Sequence, residues 1–208
     1  MKRIIVGISG ATGVVYGIRV LEVLSQVADV ETHLVISSAA RRTLVLETDY
    51  SNEYLETIAG HVYRPGDVAA AISSGSFRTS GMIVAPCSVR TASGIATSYS
   101  SNLLLRAADV TLKERRPLVL LFRETPLHVG HLRLLLQLAE MGAVVMPPMP
   151  AFYQRPRTLD DIINQTVNRA LDMLGIELEH DLFARWQGPR ESHAPQRQNV
   201  VTDSTIVT

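Results

Sequence analysis

The sequence predicts an α/β protein with a mainly parallel sheet, helices on both of its faces, and one domain. Three observations predict it. Short Ile- and Val-rich runs alternate with helical stretches along most of the chain, the pattern of successive βαβ units. A glycine-rich turn follows the first apolar run and opens the first helix. The chain has 208 residues, 46% of them hydrophobic, which suffices for one sizeable core plus a short appendage.

The elements follow in order. Arg3–Ser9 is an apolar run bounded by glycine and reads as a buried strand. Val14–Gln26 carries Val15, Ile18, Val20, Leu21 and Leu24 at helical spacing. Glu31–Ile36 is the second strand and Ala39–Glu47 a helix. Gly81–Ala85 is a buried strand stopped by Pro86. Leu103–Glu114 is helical, and Pro117–Phe122 is the next strand. Leu127–Met141 is strongly periodic, and Gly142 ends it as a left-handed C-terminal glycine does. Ala143–Met146 is a last short strand. Leu159–Leu174 is a last helix, with Thr158 and Asp161 placed as a capping box. Residues 1–188 read as the domain and 189–208 as a polar tail without pattern.

Composition excludes several classes. Lys+Arg and Asp+Glu number 20 each, so a zero formal charge disfavours bulk attraction to nucleic acid or to an anionic membrane. A neutral surface favours self-association. The single cysteine, Cys87, allows no internal disulfide and no Cys-rich metal site. No apolar run reaches the roughly 18 residues of a membrane span, and the apolar start is too short for a secretion signal. The cytoplasm is the expected compartment.

In such a fold ligands sit beyond the carboxyl ends of the strands, so the residues after each strand are the ones to read. Gly7, Gly10 and Gly13 have G-x-x-G-x-x-G spacing, which suits an anion at a helix start or a bare tight turn, but is not the dinucleotide spacing. Ser37 and Ser38 stand where an NAD site favours an acidic residue; they fit a phosphate, a flavin edge or a plain helix cap. Ser88, Arg90 and Thr91 could grip a phosphate, with capping again the plain alternative. Cys87 has no nearby His to activate it and reads as a small buried thiol. Arg106 and Lys113 share one helix face. Arg123 and Glu124 arrive together at a strand end, a cation for an anion beside a carboxylate for a proton. His128 and His131 lack a third ligand and read as a polar helix start, while Asp160 and Asp161 read as an acidic first turn. Pro147–Tyr153 is a stiff loop presenting two aromatic rings.

Taken together, the segments GISGATG, ETHLVIS, ISSGSFRT, GMIVAPCS, RAADVTLKERRPLVLLFRETPLHVGHL, GAVVMPPMPAFY, LDDIINQTVNRALD and LFARWQG resemble the flavin prenyltransferase (UbiX) family over nearly all of residues 1–188. The resemblance implies a flavodoxin-like sheet and a homododecamer. It implies transfer of a dimethylallyl group from dimethylallyl phosphate to N5 and C6 of reduced FMN, without a metal. The product, prenylated FMN, would serve a UbiD-type decarboxylase in ubiquinone biosynthesis or aromatic acid breakdown. Family contacts to FMN fall on Gly10, Ala11, Thr12, Ser37, Ser88, Val89, Arg90, Thr91 and Arg123. Contacts to the prenyl donor fall on Tyr153 and Arg169, with Arg106, Lys113 and Glu124 completing the phosphate site. Glu47, Glu124, Thr12 and Trp186 fall on positions that shape the catalytic pocket, and Thr12 stands where many members have Ser. Two other activities fit the same fold: direct decarboxylation of an aromatic acid or a peptidyl cysteine, and FMN carriage. The APCSVRT segment lacks the Asn-rich motif of the cysteine decarboxylases.

Overall fold

The computed structural model describes residues 1–188; the tail predicted over 189–208 lies outside the described residues. Six strands form one parallel sheet: β1 (Lys2–Ile8), β2 (Val30–Ile36), β3 (His61–Tyr63), β4 (Gly81–Cys87), β5 (Leu118–Phe122) and β6 (Val144–Val145). Their spatial order is β3-β2-β1-β4-β5-β6. Seven α-helices cover the sheet: α1 (Val14–Leu24), α2 (Ser38–Glu47), α3 (Asn52–Ile58), α4 (Val89–Ala96), α5 (Leu103–Lys113), α6 (Val129–Glu140) and α7 (Leu159–Met173). The expected class is therefore the observed one, a doubly wound flavodoxin-like sheet.

The inner strands are apolar on both sides because helices bury both sides. Ile4, Val6 and Ile8 of β1 join a core with α1, α2, α3 and α7, while Ile5 points into a second core under α4, α5 and α6. Each Leu or Ile so buried contributes roughly 1.5–3 kcal/mol over an exposed one. Thr158 and Asp161 make the expected capping box, and Gly142 (φ 95°) follows α6.

Several features depart from the sequence reading, among them helix α4, which it left unassigned. β4 runs through Pro86 to Cys87 instead of stopping at Ala85. The ladder to β5 shifts register between Val84 and Cys87, so the missing Pro86 N–H interrupts no regular pairing. The Pro86 carbonyl is meanwhile taken by the Ser9 amide at 3.2 Å. Helix α3 and strand β3 were not anticipated. β3 has three residues on a sheet edge and is partly exposed, so it carries no hydrophobic alternation to read.

Candidate functional site

In this strand order the chain winds outward from β1 to β3, then returns to place β4 on the other side of β1. The carboxyl ends of β1 and β4 therefore diverge into different loops and leave a crevice, the usual ligand position in open α/β sheets.

Ser9, 1% exposed, ties the two sides of this crevice together. Its hydroxyl donates to the Pro86 carbonyl (2.8 Å) and accepts from the Ser88 amide (2.8 Å). Next to it, Gly10 lies so close to α2 that a Cβ would stand 2.3 Å from the Ala39 Cβ, so only glycine lets the turn pass there. Gly13, the N-terminal cap residue of α1, has φ 91° and no side chain to cap the helix. The carboxylate of Glu47, at the end of α2, performs that capping from 34 residues away: Oε2 accepts from the Gly13 amide (2.8 Å) and the Val14 amide (3.4 Å). Ala11 and Thr12 lie between, with Thr12 exposed.

The neighbouring loops close the crevice. The Ser37 amide donates to the Ile8 carbonyl (2.9 Å), and the Ser37 hydroxyl caps α2 at Ala40. The Ser88 hydroxyl accepts from the Thr91 amide (3.3 Å) and donates to the Thr91 hydroxyl (3.1 Å), capping α4. Val89 is half-buried and Arg90 exposed. At the end of β5 the Arg123 amide donates to the Cys87 carbonyl (3.0 Å), which sets the half-buried Arg123 beside the Ser88 loop. The Glu124 carboxylate accepts from the Thr125 amide (3.0 Å). The ends of β1, β2, β4 and β5 thus bring Thr12, Ser37, Ser88, Arg90, Thr91 and Arg123 to one edge of the sheet. This donor set fits a phosphate-bearing planar ligand such as FMN.

Cys87 is fully buried, and burial pushes its thiol up to about 12, so it is no nucleophile at neutral pH. His128 caps α6 through Nδ1, accepting from the amides of Gly130 and His131, which is the polar helix start expected of it.

The remaining candidates lie elsewhere in the chain. Arg106 is held by Asp109 (2.9 Å) and the Ser73 carbonyl (3.2 Å). Lys113 pairs with Glu114 in the last turn of α5. Arg169 pairs with Asp172 (2.6 Å) one turn before the end of α7. Tyr153 and Trp186 meet edge to face with ring centres 5.7 Å apart. They line a cavity of about 960 Å³ with Arg155, Arg157, Asp161 and Arg185. That cavity includes no residue of the β1–α1 turn. Glu47 and Ser88 thus hold the crevice loops, and Arg123 and Glu124 follow β5 at the same edge, while Lys113 pairs at the far end of α5 and Tyr153 and Trp186 line a separate cavity.

Two features at these sites escaped the sequence reading. One is Ser9, whose role depends on a contact 79 residues away. The other is Asp172, which binds both Arg169 and, through both carboxylate oxygens at 2.9 Å, Arg185. Arg185 also holds Asp181, so this knot pins the segment carrying Trp186 against α7. The hydrogen bonds from Arg185, with those from Arg169, keep the Asp172 carboxyl below the usual carboxylate range.

A crevice of this make-up, on a doubly wound sheet, defines a flavin-binding α/β protein, and residues 1–171 match the Flavoprotein family. The chain belongs to the flavin prenyltransferase family. It is 64% identical over 188 residues to flavin prenyltransferase UbiX of Escherichia coli strain K12, covering 90% of this chain and all of that protein. It is 59% identical to flavin prenyltransferase UbiX of Thauera aromatica, over 91% of this chain and 96% of the relative. Among solved structures it superposes on AnUbiX (PadA1) in complex with FMN and dimethylallyl pyrophosphate. The TM-score is 0.86 and the identity 46%, over 91% of this chain and 99% of that one. A dodecameric FMN-dependent UbiX-like decarboxylase from Escherichia coli O157:H7 matches with TM-score 0.86 and 51% identity, over 89% of this chain and all of that one.

Proposed function

We propose that this chain is a flavin prenyltransferase that joins a dimethylallyl group from dimethylallyl phosphate to reduced FMN. The observation that carries the proposal is the β1–β4 crevice, where amides, hydroxyls and Arg123 converge beside a carboxylate. Reduced FMN supplies the ring positions, N5 and C6, that take the dimethylallyl group as phosphate departs.

The residues act as follows. Gly10, Ala11, Thr12, Ser37 and Ser88–Thr91 bind and orient the flavin, and Arg123 offsets its negative charge. Glu124 moves a proton at the reacting edge, with Glu47 holding the β1–α1 turn in place. Arg106, Lys113 and Arg169 neutralise the departing phosphate, and Tyr153 protonates it beside Trp186. Because one chain does not gather these groups, they meet across subunits, in keeping with the dodecameric relative. Residues 1–188 form the working domain. The product passes to a UbiD-type decarboxylase, and the enzyme works in the cytoplasm. None of the α-helices among the described residues is long and apolar enough to cross a membrane.

The test is anaerobic incubation of the protein with reduced FMN and dimethylallyl mono- or diphosphate, followed by the mass of the released flavin. A gain of one C5 unit is expected. Unchanged FMN would move the assignment to flavin carriage. Arg123→Ala and Glu124→Gln should each lower prenyl transfer by about 10²-fold or more; unaltered rates would remove these roles.

A further inference from the structure

We propose that Glu31, His33 and His61 form a binding site for a divalent cation of the zinc class, separate from the flavin crevice. The sheet itself builds the cluster. Glu31 and His33 alternate along β2 and so share a face. Parallel register sets Arg3 of β1 opposite Glu31, and His61 of β3 opposite His33.

The ligand atoms converge. His61 Nε2 lies 2.8 Å and His33 Nε2 3.2 Å from the same carboxylate oxygen, Glu31 Oε1. One ligand atom from each residue falls within 4.8 Å of the others. Two ligands of a tetrahedral zinc ion stand roughly 3.3 Å apart, given zinc–ligand lengths of about 2.0–2.1 Å. Small side-chain rotations therefore suffice to seat an ion.

His33 supplies an independent observation. Its side chain is 1% exposed, and its Nε2 has no hydrogen-bond partner despite facing the carboxylate. Arg3 Nε, on the other side of Glu31, is also buried without a hydrogen bond, though ion-paired with Oε2 at 3.5 Å. His33 Nδ1 is engaged by the Tyr63 hydroxyl at 2.9 Å. In the tautomer with the proton on Nδ1, donated to Tyr63, the Nε2 lone pair faces the Glu31 oxygen and is free for a cation; in the other tautomer the Tyr63 hydroxyl donates to Nδ1 and Nε2–H points to Glu31. The first arrangement, an imidazole with its far nitrogen fixed by an outer partner, is how metal-binding histidines are oriented.

The surroundings define the ion. Two imidazoles and one carboxylate suit zinc or cobalt over magnesium or calcium, which prefer all-oxygen shells. His61 is 54% exposed and leaves a side open for entry and for a water as fourth ligand. Arg3 lies 3.5 Å from Glu31 Oε2 and over the Phe77 ring at 4.7 Å, so it orients the carboxylate while its charge moderates the affinity.

The experiment uses the full chain, stripped with chelator, and titrates zinc by calorimetry and cobalt by visible absorption. One ion per chain and the strong visible bands of four-coordinate cobalt are expected. His61→Ala should lower zinc affinity at least tenfold, since even losing an outer partner of a ligand costs about 10–100-fold. Glu31→Gln gives a second reading that leaves His61 in place and should weaken zinc similarly. His128→Ala, at the stacked His128–His131 pair, should bind as the parent does. FMN binding by each variant checks that it is folded. No zinc bound, or zinc bound equally by folded His61→Ala and Glu31→Gln, or zinc lost only in His128→Ala, would overturn the proposal.

Discussion

Replacing Ser9 by alanine should weaken both the fold and flavin binding, because one hydroxyl joins the two loops of the crevice. Ser9 Oγ is buried, donating to Pro86 and accepting from Ser88, each at 2.8 Å. In Ser9→Ala the Pro86 carbonyl keeps the Ser9 amide at 3.2 Å, so it is not orphaned. The Ser88 amide loses its partner in a part-buried position. Leaving such a donor unsatisfied costs about 1–3 kcal/mol. For a chain of this length each kcal/mol lowers Tm by about 2–4 °C, so the expected drop is about 2–12 °C. Thermal unfolding should be followed at one fixed protein concentration, since assembly shifts Tm by mass action. Thr97→Ala, which removes an exposed hydroxyl bonded within α4's own last turn, serves as the control and should stay within about 0.5 kcal/mol. FMN titration should show weaker binding by Ser9→Ala alone, because Ser88 starts α4, whose first turn is proposed to bind the flavin. A Ser9→Ala protein with the parent's Tm and the parent's FMN affinity would refute the reasoning.

Three further outcomes are expected. Glu47→Ala removes the only side-chain cap seen at α1 and should cost about 0.5–2 kcal/mol in denaturant unfolding, whereas Glu47→Gln, which keeps an acceptor, should cost less. Cys87 should not react with a thiol reagent in the native protein at pH 8 and should react once per chain in denaturant, because burial holds the thiol protonated. The Asp172 carboxyl titrates below its unfolded value of about 3.9, so its stabilising contribution is complete above that pH and is lost as pH falls through the lower folded value. Trp186, the chain's one tryptophan, reports this: its emission should hold steady down to about pH 4 and change below, and Asp172→Ala should already show the change at pH 7.

Much of the fold was legible because its strands are continuous apolar runs and its helices are long and periodic. Ile4–Ile8 and Leu118–Phe122 are buried end to end, and their short length with flanking glycine or proline reads them as strands. β3 was not legible: His61-Val62-Tyr63 becomes a strand only because β2 offers it an edge, with the His33–Tyr63 contact across the pair. The crevice loops were legible from their place after strands. The partners of those loops were not. Nothing near Gly13 announces that Glu47 will cap its helix, and nothing near Ser9 announces Ser88, because such contacts exist only once the sheet has assembled.

The cations assigned to the flavin and to the prenyl phosphate make the same point at a larger scale. In the sequence Arg106, Lys113 and Arg123 fall within 18 residues, the first two on one helix face and the third at a strand end. In the fold α5 runs back against the strand direction, so its last turn delivers Lys113 to the amino edge, where Glu114 and Arg116 sit by Gly75 and Phe77 ahead of β4. β5 then carries the chain to the carboxyl edge, where Arg123 emerges. At roughly 3.3 Å per residue the two cations are on the order of 15–20 Å apart within one chain. If Lys113 and Arg123 serve one active site, they come from different copies, and the surface needed to bring copies together is present. Val129, Leu132 and Leu136 stand exposed along α6, and Phe152, Tyr153 and Leu159 stand exposed around the proline loop. Apolar surface of that kind on a chain with zero formal charge is what a subunit of a closed assembly requires.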